Sequence, residues 1–277
     1  MINFIKNLTE RVYSENISNC LEKIREDKEI LFQKIKNSTD KKYGIYKIKE
    51  NFYVILLPSN GSYSFSSILS GAYIPPNNIE IKDEIGKRYG EKIDENAHVI
   101  ILFLDELNKL EIAFVHEEGH KLFFEKYQGN IEKIKDMLLK ILNDKENLKD
   151  NEKIYKIKMK IDEINEKAIV DSEAYSIIIE LYYIALLLKN REISKNVAKN
   201  YFLSFISTYS FLNKNSLKRI GNEKELIKII NEIFINEEKV VNKLVNKLEI
   251  AWKKINREWS KISKELSKLE KELIKLI

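Results

Sequence analysis

Apolar residues recur at helical spacing along most of this chain and give way to strand-like runs only in one early region. Ile17, Leu21, Ile24, Leu31 and Ile35 fall at three-, four- and seven-residue steps among charges, which predicts helix over residues 1–38. The period then shortens. Tyr43 to Ile48 and Phe52 to Leu57 are rich in β-branched and aromatic residues, and Lys49-Glu50-Asn51 divides them, as a hairpin requires. Pro58-Ser59-Asn60-Gly61-Ser62 reads as a loop, and Ser64 to Tyr73 as a further strand stopped by Pro75-Pro76. Asn77 to Ile81 alternates weakly, and His98 to Leu104 is a continuous apolar run of strand length.

Helical periodicity resumes at Asp105, a residue suited to capping a helix that carries Leu107, Leu110, Ala113, Phe114, His116, His120, Phe123 and Tyr127. Gln128-Gly129-Asn130 is the expected stop, with Gly129 available for a left-handed cap. Residues 131–167 predict two amphipathic helices parted near Asn143 to Asn147, followed by a hydrophobic helix over Ile169 to Leu188 and a helical pair over 192–235. The end of the chain is more regular still. Val245, Trp252, Trp259, Leu266 and Leu273 recur every seventh residue, with Leu248, Ile255, Ile262, Leu269 and Leu276 three positions behind. That is the a/d seam of a long amphipathic helix, which either packs on the protein's own helices or pairs two copies as a homodimer.

Strands followed by helices predict an α+β fold, mostly helical, with a small mixed or antiparallel sheet ahead of the helix around residue 116. The expected organisation is one domain over 1–235 (helical segment 1–38, sheet region 43–104, helix 105–127, helical remainder) and a long helix over 236–277.

Composition narrows the choice of function. The net charge is +5, from 48 basic and 43 acidic residues, and the two signs alternate almost throughout. Interleaving of this kind builds solvated helix faces with i,i+4 pairs and argues against a nucleic-acid footprint. The most hydrophobic stretch, Ala174 to Leu188, is too short to span a bilayer and contains Glu180, so no membrane partner is expected. A single cysteine, Cys20, excludes an internal disulfide framework and cysteine-held metal. The first residues lack a secretory signal pattern, and a cytoplasmic protein is expected.

Chemistry concentrates in His116-Glu117-Glu118-Gly119-His120, which holds two of the three histidines. A spacing of four places both imidazoles on one helix face, one turn apart, where their nitrogens can converge on one tetrahedral metal. Glu117 stands where its carboxylate reaches the metal's water, as a general base must. Catalytic zinc needs three protein ligands and an open position. No histidine follows His120, so the third ligand is a later carboxylate. Glu173 leads, because it lies three residues after Val170 and four before Ile177, on the core-facing side of its helix. A buried carboxylate requires a partner. Asp171 and Glu166 remain open as competitors, while Glu180 is a buried polar residue or a support for a ligand. His98, without a spaced partner, reads as structural.

Together these residues resemble the gluzincins, zinc metallopeptidases with H-E-x-x-H on one helix and a glutamate on a later one. Ala113 to His120 is also similar to the corresponding stretch of ImmA/IrrE-type intracellular peptidases. The resemblance implies zinc bound by His116, His120 and Glu173, with Glu117 as general base. It further implies a peptide or protein substrate held in extended form along the edge strand of the sheet. The alternative expectation is a helical interaction module whose zinc site is structural or vestigial.

Overall fold

A computed structural model describes residues 16–38, 43–58, 71–104, 107–143 and 151–275. These fold as two compact units, one spanning Asn16–Leu122 and one from Phe123 onward. The class is α+β and mostly helical, as expected.

The first unit contains helix α1 (Ile17–Asn37), strands β1 (Gly44–Lys49), β2 (Phe52–Pro58) and β3 (Gly71–Ile74), helix α2 (Ile79–Tyr89), strand β4 (His98–Leu104) and helix α3 (Leu107–Phe123). The sheet order is β1-β2-β4-β3. β1 and β3 run antiparallel to their neighbours while β2 and β4 are parallel, so the sheet is mixed. Alternation along β2 and β4 supplies both faces. Tyr53, Ile55, Leu57 and Val99 join Ile74, Ile93 and Ala97 in one cluster, onto which Ile85 of α2 packs. On the opposite face the Phe52 ring lies 6.5 Å from Phe114 of α3, and the Lys121 ammonium sits 4.6 Å from the Phe52 centroid.

Helix α2 replaces the weak alternation expected from Asn77 to Ile81. Ile79 and Ile81 are exposed, and the residue turned inward is Lys82. Its ammonium donates to the carbonyls of Pro76 (2.5 Å), Ala97 (3.3 Å) and Glu95. Burial pushes this lysine below the ordinary ammonium range. Three backbone acceptors hold a charge where periodicity would place a hydrophobe.

The second unit opens with a π turn at Phe124–Gln128, followed by α4 (Gly129–Asn143), α5 (Asn151–Lys189), α6 (Lys195–Leu212), α7 (Lys214–Ile220), α8 (Glu223–Asn231), a 3-10 turn at Glu232–Phe234 and α9 (Glu237–Ile274). Gly129 takes right-handed values, with φ −56°, so it does not form the left-handed stop expected there. The π turn absorbs the change of register and the backbone stays helical. The two amphipathic helices expected over 131–167 are separate, as α4 and the start of α5, but the second runs on without a break into the hydrophobic helix expected over Ile169 to Leu188, giving the 39-residue α5, and the pair expected over 192–235 divides into α6, α7, α8 and the 3-10 turn. Asp105 and Leu276 lie outside the described residues.

Helix α9 packs on α5, α4, α8 and α7. Trp252, Trp259, Leu248, Ile255, Leu266, Leu269 and Leu273 of its seam are buried. Trp252 lies 4.1 Å from the Tyr175 ring, and Trp259 meets Phe123 edge-on at 5.1 Å. Most of the heptad stripe is therefore consumed by the chain's own helices. Among the described residues no helix is long and apolar enough to cross a membrane.

Candidate metal centre

The motif lies on α3, where helical geometry brings the two imidazoles to one face. Their Nε2 atoms are 3.2 Å apart, and the rings meet edge-on at 77°. Two nitrogens at about 2.1 Å from one zinc, separated by the tetrahedral angle, stand about 3.4 Å apart. The observed spacing fits a shared metal closely. Glu173, the leading third candidate, lies on α5 of the second unit. The side chains of His116, His120 and Glu173 are each half-buried. Two neutral imidazoles and a carboxylate are a donor set that suits zinc and leaves a fourth position.

The competing carboxylates are placed elsewhere. Glu166 is exposed. Asp171 is fully buried and committed to cations: its Oδ1 lies 2.6 Å from Arg219 Nε, and its Oδ2 lies 2.9 Å from Lys167 Nζ. The same Oδ2 accepts from Trp259 Nε1 at 2.9 Å. The Arg219 Nε contact is an ion pair whose angle falls outside hydrogen-bond geometry. Glu180 is buried and accepts from the Tyr209 hydroxyl at 2.7 Å. Of the tyrosines near Glu173 in sequence, Tyr175 is sealed within the Phe123 and Trp252 rings.

Glu117 is buried, with its side chain lying against Gly71 of β3. Within the described sheet β3 is one of the two edge strands, β1 being the other, so the motif's carboxylate stands beside an edge strand. Sequence reasoning missed Gly71, because the Ser64 to Tyr73 pattern marks a strand without indicating what approaches it. It also missed the charges behind the motif. Lys121 pairs with Glu118 at 3.2 Å and lies 3.9 Å from buried Asp27 of α1, which also binds Lys49 at 2.5 Å. A second tie joins Lys28 of α1 to Glu111 of α3. Together these pairs fix α3 against α1 and β1.

The third histidine, His98, meets Tyr73 of β3. Its Nδ1 lies 2.7 Å from the Tyr73 hydroxyl, with the two rings stacked. Burial, reinforced by the charges of Lys121 and Lys82, lowers its pKa from 6.5 to about 4. Protonation is thus easier in the unfolded chain. Stability from this group is complete above pH 6.5 and declines as the pH falls towards 4. With allowance for partial solvent access, the loss is on the order of 2 kcal/mol. Urea unfolding of chelator-treated protein should show this decline between pH 7 and pH 4.5. His98→Gln should flatten it, and an equal slope in that variant would contradict the assignment.

No protein-family model matches the chain, and neither a curated protein nor a solved structure shows significant similarity to it.

Proposed function

We propose that the protein is a zinc-dependent endopeptidase of the gluzincin kind, acting on peptide or protein substrates in the cytoplasm. One observation carries the reading: the Nε2 atoms of His116 and His120 stand 3.2 Å apart on one helix face, close to the separation two ligands of one tetrahedral ion have, and Glu173 would supply the third ligand. When bound there, zinc supplies Lewis acidity and lowers the pKa of a water towards about 7. The chain supplies the rest. Glu117 takes the proton from the attacking water and delivers it to the departing amine, so that the amine leaves neutral. Its burial keeps competing water away from that proton transfer.

Among the described residues no strand pairs with the outer side of β3, and that edge would offer backbone groups to an extended peptide in the manner of strand addition, next to the strand's contact with Glu117. Lys121, Glu118 and Asp27 tie the motif helix to α1.

The test pairs metal content with proteolysis. Protein purified without chelators and dialysed against zinc should retain one equivalent and cleave members of a broad peptide library. A chelator should abolish cleavage, and zinc should restore it. One equivalent of zinc with no cleavage across the library would favour a structural site in an interaction module. Absence of bound zinc would end both readings.

A further inference from the structure

Gly71 opens the edge strand β3, and the space its missing side chain leaves is filled by Glu117. A Cβ built at Gly71 would stand 2.9 Å from Glu117 Cγ, 3.0 Å from Glu117 Oε1 and 3.0 Å from the Ile101 carbonyl oxygen. Real Cβ atoms avoid contacts this short. Ile101 belongs to β4 and faces Ala72 of β3 in the ladder, so its carbonyl is held by the sheet. The Glu117 side chain is the partner able to move, and the clash at Cγ lies midway along it. Relief therefore requires a different rotamer and carries the carboxylate with it. Two residues further along the same face, the Tyr73 hydroxyl meets His98 Nδ1, which anchors β3 on β4.

We propose that Gly71 is a positioning residue for the Glu117 carboxylate: the edge strand, through the absence of a side chain, sets where the general base stands. This inference rests on the peptidase reading above and adds a residue outside the H-E-x-x-H pentapeptide to it. Displacing a catalytic group by about 1 Å costs on the order of 100-fold in rate. The Gly71→Ala variant should therefore bind zinc at wild-type stoichiometry and lose about that much kcat, with KM little changed.

The decisive comparison needs no activity. In metal-free protein, Gly71→Ala should lower the urea unfolding midpoint, and the same change made in a Glu117→Ala background should lower it by less than half as much. Equal shifts in the two backgrounds would overturn the proposal, since they would place the collision on Ile101 alone. If Gly71→Ala fails to fold, folding of the Gly71→Ala/Glu117→Ala pair supports the proposal, and failure of both overturns it. A zinc-free, inactive wild-type protein would refute the peptidase reading and leave this stability comparison standing. An active wild type with unchanged kcat in Gly71→Ala would refute the positioning role alone.

Discussion

Replacing Glu117 by Gln should leave zinc bound and reduce peptide hydrolysis by about 10²–10⁴-fold, the range expected for loss of a general base. Glutamine matches glutamate in size, so the side chain still fits beside Gly71 and the fold is undisturbed. What disappears is the ability to accept a proton. His116 and His120 remain on their shared face, and their nitrogens keep the 3.2 Å spacing that suits the ion. Zinc stoichiometry by elemental analysis and kcat on a cleaved library peptide should therefore diverge. Retained activity in Glu117→Gln would remove this residue from the chemistry. Simultaneous loss of zinc would instead assign Glu117 a part in holding the metal.

The second large effect concerns stability. Asp171→Ala should lower unfolding free energy by about 3–5 kcal/mol, the usual cost of breaking a buried ion pair from one side. Arg219 would keep only Glu258, 2.7 Å away, and Trp259 Nε1 would lose its acceptor inside the aromatic cluster. Burial works against charge on Glu258, yet Arg219 and Lys167 hold its carboxyl below the ordinary range, so the network depends on ions at both ends. The penalty is a large share of a domain's usual stability of about 5–15 kcal/mol. Glu173→Ala should behave in the opposite way. That residue is half-buried and outside the network, so the fold should persist while zinc affinity collapses. Chemical denaturation of both variants, with zinc titration of the folded one, separates the two acids. A mild Asp171→Ala phenotype accompanied by zinc loss would exchange their roles.

These two acids show how far the sequence can be read. Residues 171 and 173 differ by roughly 200° around a helix, which decides whether a carboxylate joins the interior salt bridges or turns away from them. Core-facing periodicity around Val170 and Ile177 favoured Glu173, yet Arg219 and Trp259 come from distant helices and leave no local trace beside Asp171. The imidazole pair was legible because four residues along a helix is a local relation. Strands β1, β2 and β4 and the long final helix were legible for the same reason, as runs of period two or a strict heptad.

Features set by tertiary approach were not. Lys82 is buried because carbonyls from residues 76, 95 and 97 converge on it, and nothing in its own helix announces that. The π turn at Phe124–Gln128 preserves helix where Gln128-Gly129-Asn130 looks like a stop. Tyr127 is tied there to Asn256 at 2.5 Å, a partner 129 residues away. Gly71 reads in the sequence as one more small residue in a polar strand, and only its contact with Glu117 gives it meaning.

The central proposal is geometric: one ion would join two histidines from one helix to a glutamate from another. Crystals of zinc-loaded protein measured on both sides of the zinc absorption edge test it directly. A single anomalous peak about 2.0–2.2 Å from His116 Nε2, His120 Nε2 and a Glu173 carboxylate oxygen is the predicted result. A zinc peak that lacks either histidine or is closed by another acid, or no peak in fully zinc-exchanged crystals, would contradict it.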